Sequence, residues 1–224
     1  MINPGGTRNL ETVRRLVTLI LGVVAIAAIL FVLNHFRASL GLAGAQYKGN
    51  AGGVAANPSA HITWQTVNRA SDGFQEEMPA HASQTSVPAY GEQGVQEPVN
   101  VIQASVDSET TYAIAWADNS PVDSAGQQDA QKTLDMARDG ALARTQTALV
   151  SEVQNTRNGY PERDFQARNA GGGLLDARLI LAGNRLYMLI ATFPSANARR
   201  EEDVKRFFNS FTLSSAAQPS PRNK

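Results

Sequence analysis

The residues of this chain that could do chemistry are few, and their spacing argues against most reactions. The three histidines, His35, His61 and His81, show no H-x-x-x-H or H-E-x-x-H pattern, so no two imidazoles are placed to share a zinc ion. The chain contains no cysteine, which removes disulfides, thiolate metal sites, cysteine nucleophiles and acylation at a cysteine. No G-x-S-x-G occurs and no histidine follows His81, so a serine nucleophile has no support. Glu76-Glu77 is a carboxylate pair, but neighbours on a strand point to opposite faces, and the pair reads as surface charge. Asp118, Asn119, Ser120 and Asp123 crowd oxygens into one loop that lacks the glycine and terminal acid of a calcium-binding EF-hand. Gly171-Gly172-Gly173 is followed by neither Lys-Ser/Thr nor a helix, so it reads as a hairpin turn, not a phosphate cradle. No catalytic residue, cofactor site or metal site is assigned, and the chain reads as non-enzymatic.

One stretch stands apart. Tyr160-Pro161-Glu162-Arg163-Asp164 has a plain reading as a proline-bent strand with a salt-linked surface. Its sharper reading is a rigid exposed edge on which Tyr160 and Arg163 anchor a protein partner, both residue types being common at binding hot spots.

The elements that would position these residues begin with Leu16 to Leu33, an uncharged run flanked by Arg14-Arg15 and Arg37. In a helix its length reaches roughly 27 Å, close to the hydrocarbon thickness of a bilayer. The run is longer than a signal-peptide core, and the small-residue match Ala43-Gly44-Ala45 lies well past its end, so an uncleaved anchor over 16–37 is expected. Arg8, Arg14, Arg15 and the amino terminus precede it, against Arg37 and Lys48 after it. That bias predicts residues 1–15 in the cytoplasm and the C-terminal part outside, at a bacterial inner membrane. Residues 38–60, rich in Ala and Gly, read as a flexible tether, and 216–224 as a disordered tail.

Residues 61–215 are long enough for one core. Net charge is zero overall, but 61–131 holds one arginine against ten acids, and 132–224 holds fourteen basic residues against nine acids. That balance lacks the footprint of a nucleic-acid binder and implies internal complementarity between the halves. Strands are expected at His61–Arg69 and Gly73–Pro79. Ala80–Glu97 reads mostly as loop, with a short strand at Gln84–Val87. Further strands are expected at Pro98–Asp107, Thr110–Ala117, Thr147–Asn155, Tyr160–Ala167, Leu175–Ala182 and Arg185–Phe193. In Thr110–Ala117, Tyr112, Ile114 and Trp116 alternate with Ala113, Ala115 and Ala117, which suggests a sheet covered on both sides. A helix is expected over Gln128–Gln146 with Ala130, Leu134, Ala137 and Ala141 on one face. A second begins at an Asn197 cap and docks through Val204, Phe207, Phe208 and Phe211.

Phe74…Met78-Pro79, Gly159-Tyr160-Pro161-Glu162-Arg163-Asp164-Phe165, Gly183-Asn184-Arg185-Leu186-Tyr187-Met188-Leu189 and Arg206-Phe207-Phe208-Asn209-Ser210-Phe211-Thr212-Leu213 together resemble bacterial PsbP-like domains, over roughly Ile62 to Leu213. The resemblance implies an α/β/α sandwich and a non-enzymatic binding or assembly module. The expected fold class is therefore α+β: a single N-terminal transmembrane helix, then an α/β/α sandwich with a mainly antiparallel sheet. The expected partners are the lipid bilayer through residues 16–37 and a protein of unknown identity, without nucleic acid. The alternative is a small-molecule or lipid-binding module with its pocket in the sandwich.

Overall fold

A computed structural model describes residues 61–90, 96–107, 109–118 and 130–214, and for 87–90, 96 and 97 the backbone alone. The anchor expected at 16–37, the tether at 38–60 and the tail at 216–224 lie outside the described residues. No helix among the described residues is long and apolar enough to cross a membrane.

The described chain is α+β, with two antiparallel sheets and two α-helices. The larger sheet has seven strands in the order β3-β4-β5-β9-β8-β7-β6. Their ranges are β3 Ser83–Tyr90, β4 Gln96–Ser105, β5 Thr111–Asp118, β6 Thr147–Arg157, β7 Tyr160–Asn169, β8 Leu174–Ala182 and β9 Arg185–Phe193. The smaller sheet is β1 (Trp64–Arg69), β2 (Phe74–Pro79) and the short β10 (Thr212–Leu213), with β2 in the middle. Helix α1 spans Ala130–Thr145 and α2 spans Glu201–Ser210.

Strand alternation decides what lies on each face of the large sheet. Tyr112, Ile114 and Trp116 of β5, with Tyr187, Leu189 and Ala191 of β9, face the small sheet and α2. There they meet Phe74 and Met78 of β2 and Phe207 and Phe208 of α2. The rings interlock: Phe74 lies 5.0 Å from Trp116, edge to face, and Tyr112 lies 5.2 Å from Phe207. On the opposite face, Leu134, Ala137 and Ala141 of α1 pack on Phe165, Leu179, Met188 and Ile190. Gly140 is buried within α1. Ala113, Ala115 and Ala117 share that face, but α1 lies mainly over β6, β7 and β8.

Two sequence expectations need correction. Ser83–Tyr90 is a full strand where mostly loop was expected. Its pairing with β4 overrides the weak local signal, and Pro88 is tolerated because, among the described strands, β3 has a neighbour on one side only. Helix α2 starts at Glu201, with Arg200 at its N-cap and no side-chain cap, while Asn197 sits in a 3-10 turn at Ala196–Ala198. The physical reason is Arg199: its Nε donates to Asp176 of β8 at 2.6 Å, which ties the entry segment to the sheet just before the first helical turn.

Candidate interaction surface

The stretch singled out in the sequence forms the start of β7, reached from β6 through a two-residue turn in which Asn158 and Gly159 both have positive φ. That Asn-Gly turn has the twist that suits two right-handed strands. Strand β7 lies between β6 and β8, so it is not an edge. Its alternation also separates the two named residues. Tyr160, Glu162 and Asp164 face the small sheet, while Arg163, Phe165 and Ala167 face α1. Tyr160 is half-buried against the aromatic core.

Arg163 is fully buried. Its Nη1 donates to Asp135 and its Nη2 to Gln131 at 2.9 Å, both on α1. Its Nε lies 3.1 Å from Glu152 of β6, close enough for charge pairing but without hydrogen-bond alignment. Arg138 of α1 donates to both oxygens of Glu152 at 2.8 Å. This network bolts α1 to β6 and β7. The expectation of an exposed edge with Arg163 as an anchor is overturned: a guanidinium held by acids on both neighbouring elements has no face left for a partner.

The other face of β7 holds a second charged group. Arg178 of β8 donates to both oxygens of Asp164 at 2.7 Å and to the Phe208 carbonyl at 2.7 Å. Glu162 is buried beside it and receives a hydrogen bond from Arg157. Glu76 of β2 points into the same layer, fully buried, with neither carboxylate oxygen hydrogen-bonded. The Ser210 hydroxyl beside it is already engaged, accepting from the Glu77 amide and donating to the Phe207 carbonyl. Burial pushes the Glu76 carboxyl well above the usual range, outweighing the lowering by Ser210 and Arg178. The reading of Glu76-Glu77 as surface charge therefore holds for Glu77 alone, which pairs with Arg206 at 2.8 Å. The opposite pointing of the two is as expected. The signal for Glu76 was present in its flanks, since Phe74 and Met78 fall at i−2 and i+2 on the same face.

The remaining candidates resolve plainly. Gly172 has a positive φ, and the Asn169 side chain accepts from the Gly173 amide at 2.8 Å, so the glycine run is a β7–β8 turn. Asp118 pairs with Arg185 at 2.7 Å, and Asn119, Ser120 and Asp123 lie outside the described residues. His61 and His81 are exposed, His35 lies outside, and no group of three or more metal-binding side chains occurs among the described residues.

What the sequence did not single out is β6. It ends the seven-stranded sheet, and no described strand pairs with its outer side. It is eleven residues long and carries no proline or lysine. Leu149, Val150 and Val153 are 43%, 54% and 55% exposed. A register shift between Leu149 and Ser151 makes Val150 a bulge residue, after which the strand runs regularly to Arg157. Its charges turn inward, Glu152 to Arg138 and Arg157 to Glu162. Its unpaired outer backbone and the exposed Leu149, Val150 and Val153 make it a surface to which another chain could add a strand, while the bulge and the inward-turned charges limit that pairing. Its place at the sheet's end follows from topology and not from any local pattern.

The sequence matches no family model and no curated protein. Among solved structures, the chain is similar to cyanobacterial PsbP (CyanoP) from Synechocystis sp. PCC 6803, at 14% identity and a TM-score of 0.47, covering 74% of this chain and 98% of that one. It is also similar to a protein of unknown function from Pseudomonas aeruginosa, at 14% identity and a TM-score of 0.35, covering 72% of this chain and 99% of that one. The likeness is one of fold. Neither supplies a site or a partner.

Proposed function

We propose that this chain is a single-pass, membrane-anchored, non-enzymatic module on the outer side of a bacterial inner membrane, which docks another polypeptide and helps assemble a complex there. The anchor rests on the uncharged run Leu16–Leu33 and its flanking arginines. Docking rests on β6, which no described strand pairs on its outer side and which exposes Leu149, Val150 and Val153. The absence of a catalytic reading rests on chemistry: the buried charges near β7 are spent on one another, and Glu76 is sealed under the small sheet.

The test is affinity purification of the tagged full chain from membranes, wild type against Val153→Lys. Polypeptides recovered with the wild type and lost with the variant support docking at β6, and an identical set from both would overturn it. Trypsin treatment of spheroplasts checks the orientation, where a protected C-terminal domain would reverse it.

A further inference from the structure

We propose that Glu76 is a proton-controlled latch between the two sheets: neutral, it leaves Arg178 joined to Asp164 and to the end of α2, and ionised, it draws Arg178 away and frees that end. The inference goes beyond docking at β6 and does not depend on it.

The argument starts from the charges held in one closed layer. Glu76 lies on β2, the middle strand of the small sheet. It is fully buried, and neither oxygen has a hydrogen-bond partner among the described residues. Arg178 of β8, Arg157 of β6, the Ser210 hydroxyl of α2 and Glu77 of its own strand act on it, and its register partner on β1 is the apolar Val67. Glu162 and Asp164 of β7 hold the two guanidiniums: Arg157 donates to Glu162, and Arg178 donates to both oxygens of Asp164. Two cations thus serve three acids, and Glu76 is the acid left over. Burial keeps its carboxyl neutral well above the ordinary glutamate range, so the latch is shut at lower pH and opens as pH rises.

The structure also shows which contact gives way. A buried, unpaired carboxylate is costly, so ionised Glu76 competes for a cation. Glu162 is 5% exposed and depends on Arg157, whereas the Asp164 side chain is 32% exposed and can be left to water. Arg178 is therefore the cation that can move. Its guanidinium is a rigid fork, so turning it toward Glu76 displaces all its donors together, including the Nη1 that reaches the Phe208 carbonyl at 2.7 Å. That carbonyl lies in the last turn of α2, where helix carbonyls lack intrahelical partners. The Phe208 ring lies under the same guanidinium, 5.3 Å away. The links at Asp72, from Arg185 and Tyr187, and at Glu77, from Arg206, lie elsewhere on the small sheet and remain. Release is thus confined to the end of α2 and the β10 that follows it.

Hydrogen exchange of the full chain tests this, with wild type and Glu76→Gln compared at each pH between about 5 and 9, the span in which a buried glutamate ionises. Comparing the two at one pH cancels the intrinsic rate. The ratio of wild-type to variant exchange in residues 207–213 should be near one at the acid end and rise several-fold toward the basic end, while the ratio in β9 stays flat. A flat ratio in 207–213, or an equal rise in β9, would overturn the proposal. Asp164→Asn removes the competitor for Arg178 and should abolish the pH dependence at the end of α2, and a rise like that of the wild type would show that Arg178 does not move. Where that variant fails to fold, carboxyl carbon shifts of the wild type replace it. The Asp164 signal should change at the pH where Glu76 titrates, and an Asp164 signal that stays flat through that pH would overturn the latch.

Discussion

Asp164 and Arg178 stand opposite each other as register partners on β7 and β8, joined by two N–H···O bonds of 2.7 Å each. The fork geometry of the guanidinium fits both carboxylate oxygens at once, and its remaining reach goes to the Phe208 carbonyl near the end of α2. One side chain therefore ties the large sheet to the helix of the layer above it. Glu76, in the same layer, receives no hydrogen bond from it.

Arg178→Ala removes the cation from a layer that also buries Glu162 and Glu76. Breaking a buried pair leaves an uncompensated charge, and the expected loss is about 3–5 kcal/mol of unfolding free energy. Urea denaturation of the full chain checks it. A loss within the range of ordinary surface substitutions would show that Asp164 finds solvent instead.

Glu76 gives the domain a pH dependence of definite sign. Its folded pKa is raised by burial, against the partial lowering by Ser210, Arg178 and Arg157 and with a small raising contribution from Glu77. Such a group favours folding fully below the unfolded glutamate value of about 4.3, and that contribution is lost as pH rises toward the folded pKa. Glu76→Gln keeps the shape and stays neutral. Its urea midpoint should draw level with or exceed the wild type as pH rises above that value, with the gap widening until the wild-type carboxyl ionises. Glu77 and Glu201, lowered by Arg206 and Arg199, act in the opposite direction at more acidic pH. Parallel stability curves for wild type and Glu76→Gln would sink this account.

Much of the fold was legible in local pattern. The alternation of β5, the two-faced apolar run of β9 and the aromatic stripe of α2 all lie where the sequence placed them, because each reflects its own burial. Strand β3 was not, because its conformation comes from β4. The buried charges were missed for a related reason: Glu76 and Arg163 carry surface-type side chains, and only the phase of their neighbours, Phe74 and Met78 or Phe165 and Ala167, shows that they point inward. The openness of β6 depends on strand order, which no stretch of this sequence encodes alone. The expected complementarity between an acidic first half and a basic second half is realised in Asp118–Arg185 and Glu77–Arg206, but Asp164–Arg178, Glu152–Arg138 and Asp176–Arg199 join residues of the second half to each other.

Phe207 is fully buried and stands edge to face with Tyr112. Phe207→Ala should cost about 3–5 kcal/mol, because the rings around it cannot collapse into the space. Phe208, nearer the rim and under the Arg178 guanidinium, should cost less when changed to Ala. Denaturant midpoints for the two variants check the order, and reversal would mean that α2 docks by its outer ring.

Arg163 separates a structural from a binding role for the stretch Tyr160-Pro161-Glu162-Arg163-Asp164. Its guanidinium joins Asp135 and Gln131 of α1 to Glu152 of β6, so Arg163→Ala should loosen α1 from the sheet. The cost should fall toward the lower end of about 3–5 kcal/mol, since the Asp135 side chain is 46% exposed and water screens it. Arg163→Met keeps the apolar stem, and it should recover part of that loss while leaving Glu152 to Arg138. Hydrogen exchange should rise in Ala130–Thr145 more than in β8 or β9. Recovery of polypeptides by the tagged chain should match the wild type for Arg163→Met under conditions where both are folded, and fall for Val153→Lys. Loss of recovery with Arg163→Met at full stability would return Arg163 to the binding surface.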